Sequence, residues 1–401
     1  MPRILILGKW PIDSSSGGVG EHIRNLIPHL IKNHSEHEIR FISFNECVEG
    51  QKDVPDNVRF LKAREIYYLL PFLALMRIAL EVRKYRPDII HIQGINISPY
   101  SLYSSFLAKG LPTIVTIHNL PSMETMAKGY SIKNRILSEI NKLFERMMIR
   151  NASILISVTR RLKERIVEEY GNEIDSRIIV VPNGVDANEI HSLCKSFALD
   201  PRFIEEIHKK FVIFHAKSLN RFNGQEYLIR AMPLIIREIP NSCLILAGNG
   251  PLRAELENLS SLLGLREYVR FLGIVEHEAI PSLINLSDLI VIPSIKSPGF
   301  EEGSSIFILE AMTLGKPVIA SSVGGLAETI SHTKNGLLIE SGNYAIIAAE
   351  VIRLHHNPSI AANLGRNAKE FVEKERSWNG IAQRTSAIYD KLNNQTESKS
   401  S

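Results

Sequence analysis

The stretch SPGFEEGSSIFILEAMTLGKPVIASSVGGLAET, residues 297–329, sets two carboxylates, Glu302 and Glu310, eight positions apart. Small residues that are poor in helix interiors precede an apolar run, and a glycine and a proline follow it. This order predicts a helix that begins near Ser305, with Glu302 on the loop before it and Glu310 one turn inside it. The first N–H groups of such a helix favour an anionic or hydroxyl-rich ligand.

Two carboxylates in this arrangement suit a ligand with several hydroxyl groups. A carboxylate one turn inside the helix, such as Glu310, can accept from two adjacent hydroxyls, as on a ribose, while Glu302 can reach a sugar hydroxyl. Either Glu by itself would more often be a solvated surface residue. A tight connection into the apolar strand PVIAS, followed by Gly324 and Gly325, favours the ligand-binding interpretation.

Apolar runs alternate with helical stretches along the whole chain, among them RILILG, IIHIQG, TIVTIH, VIFHA, CLILAG, LIVIPS and PVIAS. This alternation predicts an α/β protein with parallel sheets. A polar segment without strand signals, residues 187–210, separates two sets of such runs. We therefore expect two Rossmann-like, doubly wound parallel-sheet domains facing across a cleft, with ligands at the carboxyl ends of the strands. The polar tail, residues 394–401, is expected to be disordered.

The composition of the 401 residues is that of an ordinary globular protein. Cys47, Cys194 and Cys243 follow no CxxC or zinc-site spacing, so we expect no disulfide framework, no metal site and a cytoplasmic location. The N-terminal MPRILILG is predicted to be a core strand rather than a signal peptide. The longest apolar run, Tyr67 to Leu80, is interrupted and too short to span a membrane.

Positive charge is concentrated in the first half of the chain. Residues 1–185 carry 25 Lys and Arg against 19 Asp and Glu, and the excess lies in residues 59–86 and 128–150. The second stretch has apolar residues at helical spacing, so it can form a basic amphipathic helix on the inner face of an anionic membrane. A helix that packs its apolar face on the core and leaves its basic face solvated is the more general explanation, because every surface helix is amphipathic. No nucleic-acid motif accompanies the charge.

Residues at strand ends in the first half are candidate ligand contacts. Gly17 and Gly18 belong to the glycine-rich loop SSSGGVG, predicted to precede a helix, where bare amides can approach an anionic group. His91 and His118 are predicted to end two neighbouring strands and to face the cleft.

The second half contributes further strand-end candidates. Lys217 and Arg221 follow its first strand and are the cations best placed for a diphosphate. Gly248 and Gly250 follow its second strand and permit close backbone approach, to a base or a phosphate. Asn183 lies where the first half of the chain passes into the second. An Asx turn is the default interpretation there, and ligand contact is the alternative.

Taken together, these motifs resemble the retaining glycosyltransferases of the GT4 family, which have the GT-B fold. The resemblance covers nearly the whole chain and rests on GGVGEHIRNL, HIQG, TIHN, VVPNGVD, AGNGPL, FLGIVEHEAIPSLINLSDLIVIPS, EGSSIFILEAM, PVIASSVGG and SWNGIAQRTSAIYDKL. It implies an acceptor-binding domain at residues 1–190, a nucleotide-sugar-binding domain at 191–376 and a helix, 377–393, that crosses back to the first domain.

The resemblance also implies roles for individual residues. Glu310 is similar to the residue that grips the donor ribose, Glu302 to one held close to the transferred sugar, and His118 to one near the reacting carbon. The residues expected to take part in catalysis are His118, Glu302, Lys217 and Arg221. Donor contacts are expected from Gly18, Asn183, Asn223, Gly248, Gly250, Gly303, Ser304, Ser305, Ile306 and Glu310, and acceptor contacts from Gly17 and His91.

One loop departs from the family pattern. The family has an Arg and a Lys after the first strand of the second domain, whereas this chain has Ser218 or Asn220 at the first position and Asn223 at the second. Loss of both cations could weaken stabilisation of the departing diphosphate by several kcal/mol unless Lys217 and Arg221 replace them.

The expected reaction is transfer of a hexosyl group from a nucleoside diphosphate sugar to a hydroxyl of a glycan, a glycolipid or a lipid-linked sugar. No DxD motif occurs, so we expect no metal and no cofactor beyond the nucleotide sugar. Front-face transfer with retention is the expected mechanism. Two alternatives remain open: a weak or inactive nucleotide-sugar-binding protein, and a nucleotide-sugar epimerase on the same fold.

Overall fold

The computed structural model describes residues 1–9, 17–33, 36–43, 58–60, 71–95, 110–127, 131–196, 199–296, 302–303 and 305–400. The chain forms two compact units, residues 1–183 with 378–401, and residues 184–377. The division falls before the expected boundary at residue 190, and the C-terminal helix belongs to the first unit. No helix of the described part is both long and apolar enough to cross a membrane.

The first unit is built on a parallel sheet, whose described strands have the order β3-β2-β1-β4-β5-β6-β7. These strands are β1 Arg3–Gly8, β2 Glu38–Ser43, β3 Val58–Phe60, β4 Ile89–Gln93, β5 Thr113–Ile117, β6 Ile154–Ser157 and β7 Ile178–Val180. Its helices are α1 Gly17–Asn33, α2 Pro71–Tyr85, α3 Pro121–Ala127, α4 Ile132–Asn151 and α5 Arg160–Tyr170, with a 3-10 turn at Asn172–Arg177.

The central strands of this sheet are covered on both faces. Four consecutive residues of β1, from Ile4 to Leu7, are fully buried, as are the neighbouring Ile89 and Ile90 of β4. Continuous runs of branched apolar residues are what a parallel sheet with helices on both faces requires. The alternation of strands and helices predicted from the sequence is therefore confirmed.

The last helix of the chain, α15 Trp378–Ser400, packs against α1. Its Trp378 and Tyr389 are almost completely buried in the core of the first unit. The expected disordered tail is wrong for residues 394–400, because this helix continues through Ser400. The segment is polar but contains neither glycine nor proline, so nothing in it ends the helix.

The second unit contains a six-stranded parallel sheet of order β10-β9-β8-β11-β12-β13 among its described residues. Its strands are β8 Phe211–Ala216, β9 Ser242–Ala247, β10 Val269–Gly273, β11 Leu289–Ile292, β12 Val318–Ser321 and β13 Leu337–Ile339. Its helices are α6 Ala187–Ser196, α7 Pro201–Ile207, α8 Gln225–Glu238, α9 Arg253–Leu262, α10 Ile280–Leu286, α11 Ile306–Thr313, α12 Gly324–Thr329, α13 Tyr344–His356 and α14 Pro358–Glu375.

In both sheets the strand order reverses beside the first strand, and we call this position the sheet reversal. β1 lies between β2 and β4, and β8 lies between β9 and β11, so the chain winds outwards on both sides of each starting strand. In open α/β sheets, the crevice outside the carboxyl ends of the strands at such a reversal is the usual ligand site. The two doubly wound sheets expected from the sequence are present, and each offers one such point.

Candidate active site

An ion pair lies beside the sheet reversal of the second unit. Lys217 directly follows β8, and its Nζ lies 2.6 and 2.7 Å from the two carboxylate oxygens of Glu302. Only 17% of the Lys217 side chain and 7% of the Glu302 side chain are exposed. This pairing fixes the orientation of the carboxylate, and removal of either partner would leave a poorly solvated charge.

Glu302 is also held from two further strand ends. Ser294, which follows β11, donates its hydroxyl to Oε2 of Glu302 at 2.8 Å. The main-chain oxygen of Glu302 accepts a hydrogen bond of 2.8 Å from the amide of Gly325 in α12. Gly324 has a φ of 46°, and a Cβ there would lie 2.2 Å from that same oxygen, so glycine is required. Glu302 is therefore anchored to the segments that follow β8, β11 and β12, which are adjacent strands of the sheet.

Two predicted donor-binding glycines, Gly248 and Gly250, pack against the loop that follows β8. A Cβ at Gly248, where φ is 129°, would lie 2.2 Å from the carbonyl oxygen of Lys217. A Cβ at Gly250 would lie 2.3 Å from the carbonyl oxygen of Leu219. Close packing between neighbouring loops thus explains both glycines without a ligand, and their contact with a donor stays a prediction.

The loop that departs from the family pattern is stabilised by its own amide side chains. Asn223 is buried, and its Nδ2 donates to the carbonyl oxygen of Ser218 at 2.7 Å. The side-chain oxygen of Asn220 accepts from two amides of the 3-10 turn Arg221–Asn223. Asn223 therefore holds the shape of the loop, where the family pattern has a cation.

The two remaining cations of this loop have different surroundings. Lys217 is paired with Glu302, whereas the Arg221 side chain is exposed and makes no ion pair or hydrogen bond with another described residue. Lys217 therefore contributes to the architecture of the site, while Arg221 is available to an anionic ligand.

The helix predicted around Glu310 is present as α11, and Ser305 is its N-cap residue. The Ser305 side chain makes no capping hydrogen bond, so it leaves the first N–H groups of the helix uncapped. Glu310 is buried, and its Oε1 lies 3.3 Å from Nε2 of the partly exposed His277. A Cβ at Gly303 would have no atom within 4 Å, and Ser304 lies outside the described residues.

The first unit brings together a group of neutral side chains, which we call the histidine cluster: His22, His118, Asn183 and Trp378. Nδ1 of His22 donates to the side-chain oxygen of Asn183 at 2.9 Å. The His22 ring meets those of His118 and Trp378 edge to face, with centroids 4.6 and 5.4 Å away. The Nε2 atoms of both histidines are buried and have no hydrogen-bond partner in the described part of the chain.

Burial keeps both of these histidines neutral. It lowers the pKa of His22 to about 4, although the hydrogen bond with Asn183 acts in the opposite direction. The pKa of His118 also lies well below its ordinary value, first because of burial and then because of the neighbouring imidazoles of His22 and His91. Near pH 7 the cluster therefore offers neutral ring nitrogens to a ligand.

The prediction for His91 is wrong. It does not end its strand but lies in the middle of β4, fully buried. Its Nδ1 is 2.7 Å from the hydroxyl of Tyr389, and its Nε2 is 2.7 Å from the hydroxyl of Thr116. Both ring nitrogens are thus occupied within the first unit, so His91 has a structural role and no contact to offer an acceptor. His118, in contrast, directly follows β5, as predicted.

The helix after the predicted glycine-rich loop begins earlier than expected, so the loop ends before Gly17. Gly17 and Gly18 are the first two residues of α1, rather than part of a loop before it. The first N–H groups of a helix need no intrahelical partner, which is why a helix can begin directly on glycines. The preceding residues, 10–16, lie outside the described part.

Sequence reasoning missed three polar residues in these two regions, namely His22, Ser294 and His277. His22 belongs to the motif GGVGEHIRNL, Ser294 to LIVIPS and His277 to GIVEHEAI. All three therefore lie within the motifs that resemble the GT4 family. Ser294 also follows a predicted strand, which is the signal that could have identified it. His22 lies within a helix, and only the fold shows that it meets Asn183.

Two family models match this chain over consecutive ranges. The model described as Glycosyltransferase Family 4 matches residues 16–189, and the model described as Glycosyl transferases group 1 matches residues 198–371. The two ranges leave out only residues 1–15, 190–197 and 372–401.

Curated relatives of this chain are named as glycosyltransferases. An uncharacterized glycosyltransferase of Methanocaldococcus jannaschii is 35% identical over 245 residues, or 59% of each chain. Alpha-D-kanosaminyltransferase of Streptomyces kanamyceticus is 25% identical over 75% of this chain and 76% of its own. A GDP-mannose-dependent alpha-(1-6)-phosphatidylinositol monomannoside mannosyltransferase of Mycobacterium tuberculosis is 29% identical over 50% of this chain and 53% of its own. The first and third matches span only about half of those relatives.

Solved structures show the same architecture over nearly the full chain. HepE of Anabaena in complex with UDP has a TM-score of 0.73, with 21% identity over 97% of this chain and 100% of its own. Sucrose-phosphate synthase of Thermosynechococcus elongatus has a TM-score of 0.74, with 22% identity over 97% and 99%. At these identities the likeness shows the fold. Together with the two family models, it places this chain among the GT4 glycosyltransferases, with the GT-B fold.

Proposed function

We propose that this protein transfers a hexosyl group from a nucleoside diphosphate sugar to a hydroxyl acceptor, with retention of the anomeric configuration. The acceptor class is a glycan, a glycolipid or a lipid-linked sugar, and neither a metal ion nor a further cofactor is required. The observation that carries the proposal is the position of Glu302, held by Lys217 and Ser294 beside the sheet reversal of the second unit.

The donor is assigned to the second unit. Glu302 accepts a hydrogen bond from a hydroxyl of the transferred sugar, and Glu310 accepts from the ribose. Lys217 and Arg221 supply positive charge to the diphosphate in place of the two cations that this chain lacks. The remaining donor contacts of this unit are assigned to Asn223, Gly248, Gly250, Gly303, Ser304, Ser305 and Ile306. Gly18 and Asn183, the other two predicted donor contacts, belong to the first unit.

The acceptor is assigned to the first unit. His118 follows a strand end and keeps an unpartnered, buried Nε2, so it can accept from a hydroxyl of a neutral sugar. The neighbouring Nε2 of His22 has the same property and joins the set. Gly17, at the start of α1, remains assigned to the acceptor, whereas His91 is no longer part of this assignment.

The proposed reaction needs no residue that forms a covalent bond with the sugar. The bond between the anomeric carbon and the diphosphate oxygen breaks, and the acceptor oxygen forms its bond on the same face. The acceptor proton passes to an oxygen of the departing diphosphate. The protein aligns the two substrates, and its cations stabilise the negative charge that develops on the leaving group.

Two experiments test this proposal in sequence. A thermal-shift screen of UDP-, GDP- and ADP-sugars should find at least one donor that raises the melting temperature, because a ligand that binds only the native state stabilises it. NMR of the transfer product should then show the anomeric configuration of the donor. An inverted linkage would overturn retention, and the absence of stabilisation by any nucleotide sugar would contradict the donor assignment.

A second candidate function is nucleotide-sugar binding without transfer. It is favoured by the loop after β8, where the buried Asn223 bonds to the backbone of Ser218 instead of presenting a cation. Under this alternative, a donor binds while neither transfer nor hydrolysis occurs, and Asn223→Lys restores turnover. Transfer by the unaltered protein would exclude it.

We also propose that the protein works at the cytoplasmic face of a membrane, in peripheral contact with anionic lipid. The support is the basic first half of the chain together with the acceptor class. One relative, the mycobacterial mannosyltransferase, is named for a phosphatidylinositol monomannoside acceptor.

A further inference from the structure

The helix α4, residues Ile132–Asn151, is amphipathic in the reverse of the usual sense. The buried residues of its first four turns are polar: Ser138, Asn141 and Glu145. Its exposed residues include several large aliphatic side chains, although such residues normally face the core of a globular protein. The exposed fractions are 82% for Ile132, 58% for Ile136, 42% for Ile140 and 62% for Leu143.

Polar contacts with α3 explain why the helix lies this way round. The carboxylate of Glu145 accepts from the amide and the hydroxyl of Ser122, each at 2.7 Å, and also from the hydroxyl of Tyr170. Asn141 donates to the hydroxyl of Thr125 at 3.0 Å. A rotation that buried the aliphatic residues would expose this network and break its bonds. The orientation of α4 is therefore fixed by its inner face, and the outer face is left to water or to a partner.

The exposed aliphatic residues form one stripe along the helix. Ile132, Ile136, Ile140 and Leu143 follow one another at intervals of four, four and three residues, the spacing that places side chains on one helix face. An exposed apolar stripe of this kind marks an interaction site rather than an ordinary solvated surface. We call it the α4 stripe.

Positive charge borders the α4 stripe. Lys133, Arg135, Arg146 and Arg150 lie on the same helix, and their side chains make no ion pair with another described residue. Lys142 is paired with Glu169, and the other acidic side chain on the helix besides Glu145 is Glu139. The exposed face therefore combines large aliphatic side chains with a net positive charge.

We infer that the α4 stripe is a docking surface for a bilayer that contains anionic lipid. Aliphatic side chains would enter the boundary between headgroups and acyl chains, while the flanking cations would contact phosphate groups. A second copy of the same helix fits this surface less well, because the cations of the two copies would be brought together. The inference rests on the proposed function only for its purpose, which is to bring the enzyme to a lipid-linked acceptor.

Vesicle co-sedimentation of the full chain tests this inference. Vesicles of phosphatidylcholine with about one third phosphatidylglycerol should retain the protein, and phosphatidylcholine alone should not, because each basic residue near an anionic surface adds to the attraction. The double variant Ile136→Gln/Leu143→Gln should reduce the partition coefficient by about tenfold or more, since two aliphatic side chains no longer enter the interface. The variant Arg135→Glu/Arg146→Glu should abolish the preference for anionic lipid.

Matched controls are available in the second unit. Leu262 and Ile274 are as exposed as the residues of the α4 stripe, at 85% and 82%, and Leu262→Gln/Ile274→Gln should leave vesicle binding unchanged. Circular dichroism should show that all variants remain folded, because every altered side chain is exposed. Donor hydrolysis, measured without vesicles, should be the same in all of them.

Equal binding to neutral and anionic vesicles would overturn the inference, and so would vesicle binding that survives both α4 variants. A third contrary outcome is a protein that does not bind vesicles but forms a dimer in sedimentation velocity, with the dimer abolished by the same variants. Failure of the proposed enzymatic function would instead appear as a lack of donor hydrolysis and transfer by the unaltered protein, with vesicle binding intact.

Discussion

The carboxyl ends of the two sheets carry different chemistry. In the second unit, a charged pair, Lys217 and Glu302, occupies the sheet reversal and is held by Ser294. In the first unit, the histidine cluster contains no charged group near pH 7, because burial depresses the pKa of His22 to about 4 and lowers that of His118 as well. The same fold thus provides one site suited to an anionic ligand and one suited to a neutral hydroxyl group.

This difference follows from how each site is constructed. In the second unit, Lys217 and Glu302 form an ion pair in which each partner compensates the charge of the other where solvation is poor. His22 and His118 have no carboxylate partner in the described structure, so burial favours their neutral forms. Under the proposed function, the ionic donor binds the charged side and the uncharged acceptor hydroxyl binds the neutral side, so substitutions on each side should have different effects.

The largest effect is expected from Lys217→Met. The change leaves the buried Glu302 carboxylate without its cation, which should lower the free energy of unfolding by about 3 kcal/mol. Loss of a cation at the leaving group should reduce kcat by about 10²- to 10³-fold. Urea unfolding and steady-state kinetics measure these two quantities separately.

The control for Lys217 is an exposed ion pair in the same unit. Arg230 lies 2.8 Å from Glu226, both about half exposed, and Arg230→Met should change the unfolding free energy by less than about 1 kcal/mol. If Lys217→Met/Glu302→Gln is no more stable than Lys217→Met alone, then the two groups are not coupled and the charged-site interpretation fails.

A pH titration of stability tests the neutral side of the comparison. The folded-state pKa of His22, about 4, lies below that of an unfolded histidine, so the unfolded chain binds more protons between about pH 4 and 6.5. Stability should therefore fall as pH falls through this window, by about 3 kcal/mol from His22 alone. Urea unfolding at several pH values should show a shallower slope for His22→Gln than for the unaltered protein.

The exposed His208 provides the matched control. His208→Gln should leave the slope of stability against pH unchanged, because the His208 side chain stays exposed in the folded protein. An unaltered slope in His22→Gln would show that His22 is not the buried neutral group described here.

A smaller effect is expected from Gly324→Ala, which alters the support of Glu302 without touching its charge. The added Cβ would lie 2.2 Å from the main-chain oxygen of Glu302, so the loop must shift. We expect a loss of about 2 kcal/mol in stability and a raised KM for the donor. Gly264 also has a positive φ, of 71°, but open space around its Cβ position. Gly264→Ala should therefore cost stability without changing the donor KM.

The smallest effect is expected from Glu310→Gln. The amide preserves size and one acceptor oxygen but lacks the charge that strengthens hydrogen bonds from ribose hydroxyls. The dissociation constant of the nucleoside diphosphate should rise about tenfold, which corresponds to about 1.4 kcal/mol. Isothermal titration calorimetry measures it, with the exposed Glu278→Gln as the control. An unchanged constant would remove Glu310 from the nucleotide site.

The sequence was sufficient to predict the class of fold and the position of α11. Continuous apolar runs and glycine or proline stops are local signals, and they identified the strands on which Lys217, His118 and Ser294 depend. Local signals could not reveal that Lys217 pairs with Glu302, because the two residues are 85 positions apart. The meeting of His22 with Asn183 across 161 positions was inaccessible for the same reason.

His91 and the chain terminus show a different limit. A histidine within an apolar run has the same sequence signature whether it ends a strand or lies inside it, and only the Tyr389 hydroxyl of α15 reveals its buried role. The polar composition of residues 394–400 suggested disorder, yet helix continuation depends on the absence of a stop signal rather than on apolar content. Neither distinction can be made from the local pattern alone.

The glycines of the second unit have a consequence for how the site moves. Gly224, Gly248, Gly250 and Gly324 each bring their loop so close to the backbone of another loop that a Cβ would lie 2.0 to 2.3 Å from its carbonyl oxygen. Loops interlocked in this way cannot open one at a time, since each blocks its neighbour. Amide hydrogen exchange in the loops after β8, β9, β11 and β12 should therefore report one shared opening free energy. The whole ligand-binding edge would then open as a single cooperative unit.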